Sequence, residues 1–357
     1  MTLFSDLNSR VKKIGHSPGA AIYTGKKTNQ PTVVTALYYD ATHCDIKTGS
    51  TLEAALSGHA PFGTAWINIA GLADISVVQS IATQFNLHPL TVEDILNITQ
   101  RPKIEEFDHY TFIALRIFQS AEKNKLGTTQ QLSIILGKDF ILTFEESHSA
   151  MIEQIAVRLQ GTVNQRLREQ KADYLVYRLI DAAIDAYFVV LERLGDQIEG
   201  IEKDIIDSPT QKNMRMIYRL KRQLLMLRKI IWPLREVISH FLYEDNSLVT
   251  RFTRLYLRDA YDHIAQAIDS IETFRDMLSN LLDVYLSSLS MRTNEIMKTL
   301  TIITTIFIPI TAVASIYGMN LVDIPLMKSR SGFYIVAAVM VASVGAMLVY
   351  FRKKKWM

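Results

Sequence analysis

Asn294, Met297, Thr301, Thr304, Ile308, Thr311, Ser315 and Gly318 recur at alternating intervals of three and four residues, a spacing that places them on one face of a single helix. That face carries an amide, three threonine hydroxyls and a serine hydroxyl among apolar side chains, and it runs into Tyr317-Gly318-Met319-Asn320. None of these groups is charged. Neutral oxygens without a charged partner suit an ion that keeps its water, because they can hydrogen-bond the hydration shell instead of replacing it. Magnesium dehydrates reluctantly and commonly retains several waters. Small and hydroxylated residues also line ordinary contacts between membrane helices, so the face reads either as a packing seam or as one wall of a polar pathway.

The elements that carry this face are long and apolar. Residues 299–320 contain no charge, and neither do residues 331–351. Each stretch matches the roughly 20 residues that cross a hydrocarbon core of ~30 Å. Only LVDIPLMKSR separates them, so the pair reads as a hairpin of two spanning helices. The second span offers Ser343 as its one clearly polar interior residue, and two helices cannot enclose a pore. A conducting reading therefore requires several copies, with first spans around an axis and second spans facing lipid. Arg352, Lys353, Lys354 and Lys355 follow the second span, and Arg292 and Lys298 precede the first. The positive-inside rule then puts both termini in the cytoplasm and the short loop outside. The N-terminus has no apolar core of signal-peptide length, and an inner or plasma membrane is expected.

Between Pro233 and Pro309 there is neither proline nor glycine. After a break at Glu244-Asp245-Asn246-Ser247, a helical pattern can run from about Leu248 to Tyr317, roughly 105 Å at 1.5 Å per residue. Such a helix implies a bundle or an oligomer. Upstream, DYLVYRLIDAAIDAYFVVLERLGDQIEGIEKDII keeps an apolar stripe and becomes acidic towards its end. After Ser208-Pro209 the next helix is basic. Opposite charge on two antiparallel helices would let them support each other, and solvated faces are the plainer alternative. Before residue 165 the chain reads as an α/β domain. PTVVTALYYD, GTAWINIA, HYTFIALRIF and QLSIILGKDFILTFEE have strand composition, the last folding at Gly137-Lys138, and ADISVVQSIATQFNL and HPLTVEDILN read as helices.

Composition excludes several classes. A net charge of +3 gives no reason to expect nucleic acid, and one cysteine, Cys44, leaves no disulfide framework or cysteine-rich metal site. The segment from Gly19 to Lys27 imitates a phosphate-binding loop, but it has five residues between its glycines and no hydroxyl after Gly25-Lys26, so no nucleotide is expected. No His-Glu-x-x-His pair and no coherent catalytic constellation is present, and an enzyme is not expected.

The YGMN at 317–320 closing the first of two C-terminal spans, the run MRTNEIMKTLTIITTIFIPITAVASIYGMN, the terminal YFRKKKW and HPLTVEDILNITQRPKIEEF together resemble the CorA family of magnesium and cobalt transporters. The likeness covers essentially the whole chain. It implies a funnel-shaped homopentamer in a lipid bilayer, with an α/β cytoplasmic domain, a stalk helix continuing into the membrane, and membrane-potential-driven uptake of Mg2+, with Co2+ and Ni2+ as further substrates. By the same resemblance Gly318, Met319 and Asn320 form the outer selectivity ring. Asn294 closes the cytoplasmic end, Met297, Leu300 and Ile308 form an apolar constriction, and Thr311 forms a hydroxyl ring. Leu300 is not on the periodic face. Regulatory Mg2+ is implied between subunits at Asp94 and Asp259, with Glu93 and Asp181 as further carboxylates. The outer loop departs from the family's acidic pattern: Asp323 is its only acid, beside Lys328 and Arg330.

The expected division is a cytoplasmic α/β domain over 1–165, a helical hairpin over 166–245, a stalk and first span over 248–320, an outer loop over 321–331, a second span over 332–351 and a basic tail over 352–357. A zinc transporter of the same superfamily and a non-transporting membrane-anchored metal sensor or scaffold are the competing readings. Zinc-specialised relatives vary the middle of Gly-Met-Asn, whereas Met319 is kept here. A scaffold has no need of Asn320 or of the polar face.

Overall fold

A computed structural model of the chain describes residues 15–25, 31–56, 63–119, 128–161, 165–244, 246–319, 324–326, 329 and 331–356. Seven strands, β1 (Val33–Tyr39), β2 (Cys44–Gly49), β3 (Thr64–Ala70), β4 (Lys103–Glu106), β5 (Tyr110–Phe118), β6 (Thr129–Gly137) and β7 (Phe140–Glu145), form one sheet in the order β2-β1-β3-β7-β6-β5-β4. All neighbours are antiparallel except β3 and β7, where Ala65 lies opposite Phe140 and Ala70 opposite Glu145. A two-residue turn at Lys138-Asp139 joins β6 to β7, as the Gly137-Lys138 break predicts.

The central strands read as unbroken apolar runs because both faces of the sheet are covered. On one side α1 (Leu52–Leu56), α2 (Ile75–Gln84) and α3 (Pro89–Leu96) bury Val78, Ile81, Ile95 and Leu96 against Val34, Ile67, Phe112 and Phe144. Asp74 caps α2, its carboxylate accepting from the Ser76 amide, and Pro89 opens α3, where its missing N–H costs nothing. After α4 (Ala150–Gln160) and α5 (Gln165–Glu169), the other side is met by α6 (Ala172–Asp207). There the fully buried Tyr187 donates its hydroxyl to the Arg116 carbonyl and sets its ring edge-on to Phe118.

The remaining helices are α7 (Gln211–Tyr243), α8 (Arg251–Tyr317) and α9 (Gly332–Lys353). The unbroken helix expected from Leu248 is therefore 67 residues of α8, starting three residues later. Tyr174 and Tyr177 of α6 pack on Phe252 and Tyr256 of α8. Among the described residues no ion pair joins acidic α6 to basic α7. The cations of α7 turn to α8 instead: Arg228 lies 3.8 Å from Glu272, and Arg235 donates to the Tyr261 hydroxyl at 3.0 and 2.8 Å. Glu192, Asp196, Glu199, Glu202 and Asp204 of α6 and Arg215, Arg219, Arg222 and Lys229 of α7 are exposed, as solvated faces are.

By compactness the chain divides into two units. One comprises the described residues up to Gly200 with Met216–Leu278, the other Ile201–Arg215 with the described residues from Ser279 onward. In the first, Asn246 ties the turn between α7 and α8 to the sheet. Its buried amide donates to Glu106 Oε1 at 2.7 Å and Thr111 Oγ1 at 2.9 Å, and accepts from the Leu248 amide at 2.8 Å. Replacing it by alanine orphans the Leu248 amide and removes three bonds, at a cost of about 2 kcal/mol. Thermal unfolding of Asn246→Ala should show a lowered midpoint, and an unchanged midpoint would mean the turn does not depend on this amide.

Candidate ion pathway and metal-binding residues

The second unit contains α8 from Ser279 and all of α9, and apolar side chains stand open along both. No residue of the most apolar stretch of α8 is fully buried within the chain. Exposure is nevertheless uneven around the helix. Ile302, Thr305, Ile306, Pro309, Ile310, Val313 and Tyr317 are half-buried, while Asn294, Met297, Thr301, Thr304, Ile308, Thr311, Ser315 and Gly318 are all exposed. At 100° per residue the exposed set falls within about 60° either side of one direction, and the half-buried set centres about 150° away. Leu300, 55% exposed, falls at the edge of the exposed face, so the drift of a straight helix brings it where strict periodicity did not.

On α9 the half-buried residues are Val336, Ala337, Met340, Ser343, Val344 and Met347, again one face. Ser343 belongs to it and spends its proton on the Met340 carbonyl at 2.8 Å. Lys298 Nζ donates to the Lys355 carbonyl at 3.3 Å at one end of the two spans, and the Tyr317 hydroxyl donates to the Pro325 carbonyl at 3.0 Å at the other. The second span thus covers the side of the first that lies away from the polar face.

Hydrogen bonding decides what that face can offer. Thr301 Oγ1 donates to the Met297 carbonyl at 2.7 Å, Thr304 to Leu300 at 2.7 Å, and Thr311 to Phe307 at 2.9 Å. With each proton held inside the helix, the hydroxyl oxygens present only lone pairs outward. Waters bound to a cation direct their hydrogens away from it, so an acceptor-only wall matches a hydrated cation. Gly318 and Met319 follow the last turn, with Gly318 N donating to the Ala314 carbonyl at 2.9 Å and Met319 51% exposed. Asn320 and Asp323 lie outside the described residues.

Of the four carboxylates expected to hold regulatory metal, Asp94, Glu93 and Asp181 are already engaged in the single chain. Asp94, on α3, accepts from Lys103 Nζ at 2.5 Å and from the Gln100 amide, with its side chain 13% exposed. Burial alone would lower the Lys103 ammonium, but Asp94 and Glu105 hold it above the ordinary lysine value. Glu93 accepts from the Gly19 amide at 2.8 Å. Asp181 pairs with Arg178 at 2.6 Å, and Asp259 is exposed with His263 3.9 Å away. Burial pushes the Asp181 carboxyl up, Arg178 opposes this, and Asp185 and Asp259 push it further. The structure therefore brings Asp181, Asp185 and Asp259 into one electrostatic neighbourhood. Asp185 was missed in the sequence, although it lies one helical turn beyond Asp181. Among the described residues no group of three or more His, Cys, Asp or Glu converges as a metal site.

Comparison with known proteins gives the same picture. The family model described as CorA-like Mg2+ transporter protein matches residues 63–353. The chain is 42% identical over 345 residues to the cobalt/magnesium transport protein CorA of Thermotoga maritima, covering 97% of this chain and 98% of that protein. It is 32% identical to the putative metal ion transporter YfjQ of Bacillus subtilis, covering 82% and 89%. Among solved structures, the complete CorA magnesium transporter of Methanocaldococcus jannaschii superposes with a TM-score of 0.76 at 22% identity, over 91% of this chain and 98% of that one. The full-length CmaX protein gives 0.71 at 16% identity, over 93% and 100%. A sheet-and-helix domain, a long C-terminal helix and two apolar spans, matched over nearly the whole length, place this chain in the CorA family.

Proposed function

We propose that the chain is the subunit of a divalent-cation channel that admits Mg2+, with Co2+ and Ni2+ as further substrates, down the membrane potential. As a transporter rather than an enzyme, it needs no fuel beyond that potential: a divalent ion entering at 100 mV, inside negative, gains about 4.6 kcal/mol, about three orders of magnitude in accumulation. The observation that carries the reading is the row of threonine hydroxyls on the polar face of α8, which turn only lone pairs outward and stand exposed in the single chain on the side away from α9. Such a face is costly against lipid and is satisfied around a water-filled axis shared by several copies. Five copies in a homopentameric funnel, with Asn294 at the cytoplasmic end, Met297, Leu300 and Ile308 as an apolar gate, and Gly318, Met319 and Asn320 at the outer mouth, complete the proposal. The protein is a multi-pass inner-membrane protein, with both termini assigned to the cytoplasm from its basic flanks.

Two neighbouring threonines test it. Thr304 is exposed on the polar face, and Thr305 is half-buried on the side turned to α9. Thr304→Val should lower Mg2+ uptake into potential-energised liposomes at least about fivefold, the worth of one hydroxyl hydrogen bond, while Thr305→Val leaves it near wild type. Equal effects would sink the assignment of the face. Preferential Zn2+ influx would move the protein to the zinc branch, and no flux of any divalent ion would leave a sensor or scaffold.

Cytoplasmic Mg2+ is proposed to bridge carboxylates of adjacent subunits at Asp94 and Asp259, with Glu93 and Asp181 nearby, and to hold the gate closed. The Asp94–Lys103 pair means that metal must displace an ammonium there. A ligand that binds only the folded assembly raises its unfolding midpoint. Asp259→Asn should therefore remove at least half of the Mg2+-dependent rise in midpoint, and a full rise in the variant would exclude Asp259 as a ligand.

A further inference from the structure

The C-terminal end of α9 is closed by a cap that its sequence does not favour. Trp356 N donates to the Phe351 carbonyl at 3.0 Å and Lys355 N to the Arg352 carbonyl at 3.1 Å, while the Trp356 ring stacks on Phe351 at 5.8 Å and 16°. These are the two hydrogen bonds and the apolar contact of a Schellman motif, whose turning residue sits in the left-handed region and is usually glycine. Here it is Lys355, at φ 56°. At the end of α2 the equivalent position is Asn86, at φ 50°, a residue type that tolerates that region. A lysine accepts backbone strain that glycine would avoid, which points to a use for its side chain.

The surroundings say what that use is. Lys298 of α8 donates to the Lys355 carbonyl and fixes the turn. Arg352, Lys353, Lys354 and Lys355 are all exposed, and among the described residues neither they nor Lys298 form an ion pair with a carboxylate. Tyr350 is 58% and Trp356 40% exposed, directly after the apolar span, where amphipathic rings sit at headgroup level. Unpaired cations held on a rigid turn beside an aromatic pair match phosphate groups at the surface of a bilayer.

We infer that this capped end of α9 binds the headgroups of anionic phospholipids. The inference needs the second span to lie in a bilayer and is independent of which ion the protein carries. Lipid contact here would anchor α9 and, through Lys298, the neighbouring turn of α8.

The test is quenching of Trp356 in the full-length protein, reconstituted in phosphatidylcholine vesicles with rising mole fractions of brominated phosphatidylglycerol or brominated phosphatidylcholine. The contributions of Trp66 and Trp232 are removed by subtracting the signal of Trp356→Phe, which keeps the ring contact. Phosphatidylglycerol should quench at about tenfold lower mole fraction, with each cation removed costing about fivefold. Lys355→Gly separates charge from cap, since glycine suits the turn better. It should lose about that factor while amide exchange along α9 stays as slow as in wild type, and Lys353→Gln with Lys354→Gln should remove the preference altogether. Equal quenching by the two lipids in wild type, an undiminished preference in Lys355→Gly, or any preference left in the double variant would overturn the inference. Displacement of the brominated lipid effect by millimolar inorganic phosphate would do so as well, in favour of a soluble anion.

Discussion

Asn320→Ala is expected to cut potential-driven Mg2+ uptake into liposomes by about a hundredfold or more while leaving the oligomer intact. The proposed mouth presents one amide per subunit, and an amide that hydrogen-bonds a cation's water contributes about 1 kcal/mol. Five such bonds act on the same hydrated ion. Losing even three of them raises the barrier enough for a hundredfold fall. The loop gives little compensation, because Asp323 is its single acid and Lys328 and Arg330 oppose it. The decisive comparison is with Asn320→Gln, which keeps the amide on a longer arm and should retain more flux than alanine. Wild-type flux through Asn320→Ala would remove Asn320 from the pathway. A loss of flux with loss of assembly, read from the elution volume in detergent, would make it a structural residue. The measurement uses chelated Mg2+ on the cytoplasmic side, so that the gate is free to open.

Much of this architecture was legible because it is written in long periodic segments. Two uncharged stretches of membrane length and the 75 residues of 234–308 without glycine or proline leave few alternatives to a helix that enters the bilayer. The polar face was legible too, since a lipid-facing stripe has no reason to carry Asn294, Thr301, Thr304, Thr311 and Ser315 together. Short elements were lost for a physical reason. Strand β2 lies at the sheet edge with mostly open side chains in CDIKTG, so it carries no apolar signal, and β4 is four residues long. Leu300 escaped because a rule of threes and fours tolerates only a narrow arc. The Asp94–Lys103 and Asp181–Arg178 pairs depend on backbone geometry, and the charge contrast of α6 and α7 suggested a pairing that α8 intercepts. The Schellman cap at Lys355 was hidden for the opposite reason, because the residue that usually signals it is absent.

A second large effect sits far from any span, at Glu145. This carboxyl is fully buried at the end of β7, where the Ser149 amide donates to Oε2 at 3.1 Å. A chain of bonds reaches Oε1: Trp66 Nε1 donates to Thr143, Thr143 to Asn68 Oδ1, and Asn68 Nδ2 to Glu145 at 3.1 Å. Burial pushes the carboxyl from 4.5 up to about 7, against the hydrogen bonds of Asn68 and Ser149 and the nearby His148 imidazole. The folded state therefore holds a proton that the unfolded state releases between those two values. Stability from this group is fully present below pH 4.5 and is lost as pH rises towards and through 7, by about 3 kcal/mol in all. Glu145→Gln fixes the neutral form. In wild type the midpoint, followed by the buried Trp66, should fall by roughly 5–10 °C between pH 5 and pH 8 on account of this group, and in Glu145→Gln that fall should shrink to what other groups cause. At pH 8 the variant should outlast the wild type despite one mismatched donor at Asn68 or Ser149. A slope that is the same in both proteins would show that Glu145 ionises in the folded chain as easily as in the unfolded one, and that its hydrogen bonds offset burial completely.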